Sequence, residues 1–235
     1  MSRLVATLRL DITLQARSKL YAMGIGAAVL VGMVGRFLLD PSYAGRIMPA
    51  FYLLGVGSTT YVFVASLVLF EKSQGTLQAL GASPLRSWDY INSKLITLTG
   101  FALIESLIVY ALSFWGVPFS PVPLLTGLAA LCVVNTLIGV GQIVAHDTVT
   151  SFLMPGALLV GTILQLPVFF VLDIGPALAW YLVPSQGPLL LMLAAFEPLQ
   201  AWQWVYAVGM SISAIAVSAW WARRRFARFI AMKDH

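Results

Sequence analysis

The sequence predicts an all-α integral membrane protein: a bundle of six transmembrane helices with both termini in the cytoplasm. Three observations carry this. Hydrophobic residues make up 60% of the 235 and charged residues only 10%, against the roughly 25% charged residues of soluble domains. Six apolar blocks fill most of the chain, each close to the ~20 residues a helix needs to cross a bilayer. Lysine and arginine collect on one side of those blocks. Lipid offers no partner to an unpaired backbone amide, and the blocks lack the period-two alternation of barrel strands, so helices are the spanning structure.

Residues 1–19 precede the first block. Leu4, Val5, Leu8 and Ile12 share one face of a helical wheel with basic residues alongside, the pattern of an amphipathic helix lying in the membrane interface. The first span, 20–39, is longer than the 7–15 residues of a signal-peptide core and is read as retained. Spans follow at 47–70, 95–115, 124–144, 152–172 and 202–221. Between the second and third, the loop 71–94 (EKSQGTLQALGASPLRSWDYINSK) has two helix-like stretches separated by Gly81 and Pro84, both helix breakers. Such a loop can present a docking surface. Between the fifth and sixth spans, the segment 173–201 holds an apolar run, Leu189–Phe196, too short to cross and bracketed by Pro188 and Pro198; short external or re-entrant helices are predicted there. Residues 222–235 form a cytoplasmic tail whose run Arg223–Arg228 reads as a topology and lipid-headgroup anchor. No repeat or linker divides the chain, so 1–235 is one transmembrane domain.

Orientation follows from twelve of the fourteen basic residues. Arg3, Arg9, Arg17 and Lys19, then Lys72, Arg86 and Lys94, then Arg223, Arg224, Arg225, Arg228 and Lys233 all fall on one side of the spans, which the positive-inside rule makes cytoplasmic. Only Arg36 and Arg46 lie near the other. The net charge of +5 therefore reads as topology, not as nucleic-acid binding. Cys132 is the single cysteine, which excludes a disulfide framework and a cysteine metal site.

Polar residues inside the spans are the candidate translocation path. Glu105 sits near the middle of the third span, where an ionised carboxylate is expensive unless it faces protein or water. Asn135 on the fourth span and Ser58 and Thr59 on the second fall at a comparable depth, and Gln165 on the fifth lies slightly outward. Two readings stand side by side: a substrate-contacting or proton-sensitive belt, or interhelical hydrogen bonds that hold the bundle. Pro155, Gly156, Gly161 and Pro167 predict a kinked fifth span, with Phe169 and Phe170 as an apolar gate. His146 and Asp147 occupy a short turn without a third ligand nearby, so a solvated turn is the reading over a metal or catalytic site. The chain has no G-x-x-x-x-G-K-[ST] loop, no H-E-x-x-H helix and no G-x-S-x-G elbow. Any energy from ATP must come from another polypeptide, and no cofactor is expected in this one.

The stretch FEKSQGTLQALGASPLRSWDYINSKL at Phe70–Leu95, set between two spans, resembles type-2 ABC export permeases, in which an acidic residue ends the second helix and G-T-L leads to S-P and then a lysine. Those positions are Glu71, Gly75, Thr76, Leu77, Ser83, Pro84 and Lys94. With LRLDITLQARSKL at Leu8–Leu20 and YLVPSQGPLLLMLAAFEPL at Tyr181–Leu199, the likeness is nearest to the small permease subunits of actinobacterial fluoroquinolone exporters and covers essentially the whole chain. The resemblance implies a bacterial inner-membrane half-transporter moving a drug-like or amphipathic molecule outward. It implies two partners: a second permease subunit facing the second and fifth spans, and a separate ATPase, holding the ATP and magnesium, that docks on a coupling helix at Gly75–Leu80. A lipid or polymer-precursor exporter of the same family is the alternative cargo class. An intramembrane lipid enzyme, using Glu105 or His146, and a simple membrane anchor are the competing classes.

Overall fold

A computed structural model of the protein describes residues 3–75 and 87–233. Among the described residues the regular structure is helical, and six helical stretches are long and apolar enough to cross a membrane.

Helix α1 (Arg3–Arg17) ends in a tight reversal, where Lys19 adopts the left-handed conformation at φ 58°, and α2 (Leu20–Leu38) is the first crossing. The second crossing is two helices, α3 (Ala44–Leu54) and α4 (Val56–Ser73), joined at Gly55. Then come α5 (Ser87–Ser113) and α6 (Pro121–Ile143). The fifth crossing starts as α7 (Val149–Leu159), loosens around Gly161, passes through a 3-10 turn at Ile163–Gln165 and closes with the single turn α8 (Val168–Val171). Short helices α9 (Ala177–Trp180) and α10 (Gln186–Leu193) precede the long final helix α11 (Ala201–Lys233).

The bundle is organised around α6, whose spanning window is 78% buried, and which packs against α4, α5, α10 and α11. Small residues let the neighbours approach, as membrane packing requires in the absence of a hydrophobic driving force. Gly127 abuts Pro188 and Met192 of α10, Gly139 abuts Tyr61 and Val64 of α4, and Gly141 abuts Trp221 of α11. Helix α2 presents its own stripe of Leu20, Gly24, Ala28, Gly32 and Gly35 to α5.

Several boundaries differ from those expected. Residues 87–94, assigned to the loop, are the first two turns of α5, and Glu71–Ser73 are the last of α4. Polar side chains there find partners in the protein, so the helices outrun the apolar blocks that sequence hydropathy detects. The tail after 221 likewise continues α11 to Lys233; Arg223, Arg224 and Arg225 lie over the rings of Trp88, Trp220 and Trp221. The second span is broken at Gly55 rather than continuous.

In α1 the buried positions are Thr7, Asp11 and Gln15, one polar stripe against α5, while Val5, Leu10 and Ile12 are exposed. The apolar side is thus left for lipid and the polar side holds the helix to the bundle. Every residue of α10 is buried. Its N-terminal Gly187 lies beside Ala207, Met210 and Ser211 of α11, roughly 9–15 Å along that helix from its start at 1.5 Å per residue. Helix α10 therefore dips into the bundle from the end where Ser120 donates its amide to the carbonyl of Ala195. At that end Arg46 pairs with Asp173 at 2.7 Å and lies 3.8 Å from Glu197. These pairs are exposed and add little stability.

Candidate functional site

The end of the bundle that carries α1 holds a buried charged cluster. The first turns of α5 deliver Tyr90, Ser93, Lys94 and Thr97 at i, i+3, i+4 and i+7, a single helical face. The polar stripe of α1 brings Asp11 and Gln15 to it, and the end of α4 brings Glu71. Lys94 is 0% exposed, Asp11 2% and Glu71 5%. The Lys94 ammonium donates to Asp11 Oδ1 at 2.6 Å and to Glu71 Oε1 at 2.5 Å, and sits 4.8 Å from the centre of the Tyr90 ring. Each carboxylate accepts a second bond: Asp11 Oδ2 from the Ser93 hydroxyl at 2.6 Å, Glu71 Oε2 from the Tyr90 hydroxyl at 2.6 Å. Around this core, Gln15 donates to Thr97 Oγ1 at 2.8 Å and accepts from the Tyr21 hydroxyl at 2.7 Å.

Charges are taken out of water only at a cost of several kcal/mol each, which close opposite charges and saturated hydrogen bonding offset. The cluster meets both conditions. Its mechanical consequence is specific. Glu71 and Lys94 stand at the two ends of the 71–94 segment and are joined directly, so the segment is closed at its base, and Asp11 fastens α1 to the same lysine. Gly75, at φ 71°, turns the chain just beyond α4 in the left-handed region that glycine enters freely. Thr76, Leu77, Leu80, Ser83 and Pro84, expected to form the docking surface, lie outside the described residues.

A second clamp sits beside the first. Lys72 Nζ donates to the carbonyls of Val144 at 3.0 Å and His146 at 2.7 Å, and pairs with Asp147 at 3.1 Å. It thereby caps the last turn of α6, whose terminal carbonyls have no intrahelical donor. His146 meets Phe152 edge-on. Among the described residues no group of three His, Cys, Asp or Glu could hold a metal.

The candidate path residues fall into two groups. Gln165 donates to Ser58 Oγ at 2.5 Å, joining the broken fifth crossing to α4. Thr59, on the same stretch of α4, is exposed, and Phe169 and Phe170 pack on Trp180 and Tyr181. Glu105 and Asn135 lie elsewhere, inside the bundle, 6% and 2% exposed. Asn135 sits against Gly57 of α4 and donates to the Leu131 carbonyl of its own helix, its Oδ1 without a partner among the described residues. Glu105 sits against Gly24 of α2, where a Cβ would overlap its carboxylate. The belt drawn from depth alone is thus one polar seam between α4 and the fifth crossing, with Asn135 buried between α6 and α4 and Glu105 buried separately between α5 and α2.

Asp11, Tyr90 and Ser93 were not among the residues singled out from the sequence. The available signal was that Asp11 is the only acid in residues 1–19, on a helix whose other charged residues are all basic.

The chain matches the profile of the fluoroquinolones export permease protein family over residues 2–234. Two curated relatives, both named fluoroquinolones export permease proteins, come from Mycobacterium tuberculosis strains CDC 1551/Oshkosh and ATCC 25618/H37Rv. Each is 31% identical to this chain over 239 residues, covering 100% of it and 99% of the relative.

Proposed function

The chain belongs to the fluoroquinolones export permease family, and from that premise we propose that it is the permease subunit of an ABC exporter, moving a drug-like or amphipathic molecule out of the cell with ATP hydrolysed by a separate subunit. The observation that carries the reading is the Lys94 clamp. A loop that receives force from a soluble motor must be stiff at its root, or the displacement is spent in bending the loop. Glu71 and Lys94 close that root, and through α4 and α5 a push on 76–86 is delivered to the second and third crossings together. Asp11 adds α1, so three helices respond as one body.

In this reading the basic end is cytoplasmic, the membrane is the bacterial inner membrane, and Gly75, Thr76, Leu77, Leu80, Ser83 and Pro84 meet the ATPase. The α4 and fifth-crossing side, with exposed Thr59 and the Ser58–Gln165 seam, faces a second permease subunit and lines the exit route. Motion of the pair between two conformations, biased by nucleotide in the partner, exposes the cleft alternately.

Co-purification tests the proposal. The wild-type chain, expressed with its neighbouring genes, brings down an ATPase, and Glu71→Lys abolishes that association while membrane insertion persists. Retention of the ATPase by Glu71→Lys and by a deletion of residues 75–80 refutes the docking assignment. External labelling of a cysteine placed at residue 80 refutes the orientation.

A further inference from the structure

Three buried acids are present among the described residues: Asp11, Glu71 and Glu105. The first two share Lys94. Glu105 has no hydrogen-bond or ion-pair partner among the described residues, although it is 94% buried in the middle of α5, where nothing in the hydrocarbon can solvate it. The fold makes room for it deliberately: Gly24 leaves a notch in α2 that the carboxylate occupies, and a methyl group there would collide with both Glu105 and the Phe101 ring. A carboxyl group held in a made-to-fit notch, with no partner among the described residues, is a half-site for a cation that would pair with it.

The other half of the site lies one helical turn away. Val109, at i+4 from Glu105 and on the same face of α5, lines a cavity of about 340 Å³ between α2, α3 and α5, within the size range of small-molecule sites. Its walls are apolar; the one hydroxyl, Ser113, is already committed to the Gly32 carbonyl at 3.1 Å. Its rim carries Leu30, Val34 and Leu38, all exposed on the outer side of α2, a helix long enough to cross the membrane. An occupant therefore comes from the lipid phase, and its body is apolar.

We infer that the cavity and Glu105 together bind a basic amphipath, an apolar ring body in the α2–α3–α5 cavity carrying a protonated amine on an arm of about one helical turn, ~5 Å, that reaches the Glu105 carboxylate. The ammonium pairs with the Glu105 carboxylate, and the ring body fills a cavity that water has no polar group to enter for. This deepens the export reading by assigning a cargo class, and it rests on that reading only for the direction in which the bound molecule moves.

The test is equilibrium binding to the purified full chain in phosphatidylcholine nanodiscs, with empty nanodiscs as the partition control. The probe is dansylcadaverine, an aromatic body with a five-carbon amine arm, compared with its N-acetyl derivative, which keeps the body and loses the charge. The amine binds saturably with a blue-shifted dansyl emission, about tenfold more tightly than the acetylated compound, a difference worth one decade of affinity. Glu105→Gln lowers amine affinity about tenfold to the level of the acetylated probe and leaves the acetylated probe unchanged, which also reports that the variant is folded. Val109→Trp fills the cavity and removes both. Equal affinity of the two probes for the wild type, an amine affinity that Glu105→Gln does not move, or no saturable binding of either probe overturns the inference. The ATPase is absent from the experiment, so a failure here leaves the co-purification result, and the export reading, standing or falling by itself.

Discussion

Lys94→Met is the sharpest perturbation of the cluster that ties α1, α4 and α5 together. The substitution keeps the stem and deletes an ammonium that bonds two carboxylates at 2.5 and 2.6 Å. Removing one partner of a buried ion pair costs about 3–5 kcal/mol, because the other charge is left uncompensated. Here two carboxylates, 2% and 5% exposed, are orphaned together, so the expected loss is at the upper end, about 5 kcal/mol. The same physics fixes the rescue. Asp11→Asn, Glu71→Gln and Lys94→Met combined carry no buried charge and keep the hydrogen bonds from Ser93 and Tyr90, so most of the loss returns. Reversible unfolding in detergent micelles titrated with dodecyl sulfate measures both. A parallel assay follows α1 directly: Thr7, 6% exposed, replaced by cysteine is shielded from thiol reagents in the otherwise wild-type chain and becomes reactive in Lys94→Met, against a low background since Cys132 is buried. A Lys94→Met loss below about 1 kcal/mol, well short of the range for a broken buried pair, or a triple variant as unstable as the single one, refutes the clamp.

Three further outcomes are expected. Gly24→Val drives a side chain into the Glu105 carboxylate and the Phe101 ring and costs about 1–3 kcal/mol in the same unfolding assay, part of which Glu105→Ala restores; a neutral Gly24→Val contradicts the notch. Lys72→Met strips the Val144 and His146 carbonyls of their donor, at about 1–3 kcal/mol, and speeds amide hydrogen exchange across residues 144–149, the turn between α6 and α7. Gln186→Met replaces a fully buried amide whose nitrogen and oxygen both lack partners among the described residues by an apolar side chain of similar shape, and stabilises the bundle by about 1–3 kcal/mol; a loss of stability instead means that an internal water bonds Gln186.

The cluster was half visible in the linear pattern. Glu71 and Lys94 stand in the motif that carries the family resemblance, each at the edge of an apolar block where a charge is easily noticed. Asp11 carries no such mark, because its partner lies 83 residues away and nothing near it in the chain announces the pairing. The amphipathic reading of α1 rests on Leu4, Val5, Leu8 and Ile12, of which Val5 and Ile12 are exposed and Leu8 half-buried, and passes over the polar stripe that does the holding. Helix α10 shows the same limit: its eight residues are too few to cross, which length makes plain, but that all of them are buried between α6 and α11 depends on Gly127 and Gly187 admitting a neighbour.

What the sequence determined by itself is what depends on solvent and on length: six apolar helical crossings with their basic ends on one side. Those properties are sums over ~20-residue windows, and transfer of apolar side chains into lipid fixes them residue by residue without reference to any other part of the chain. Tertiary structure alone decided which charges meet. Among the described residues Lys94 is answered twice and Glu105 not at all, although both are ionisable groups on one helix, because pairing depends on which faces of α1, α2 and α4 come against α5. That is a property of packing in three dimensions, and no window of neighbouring residues contains it.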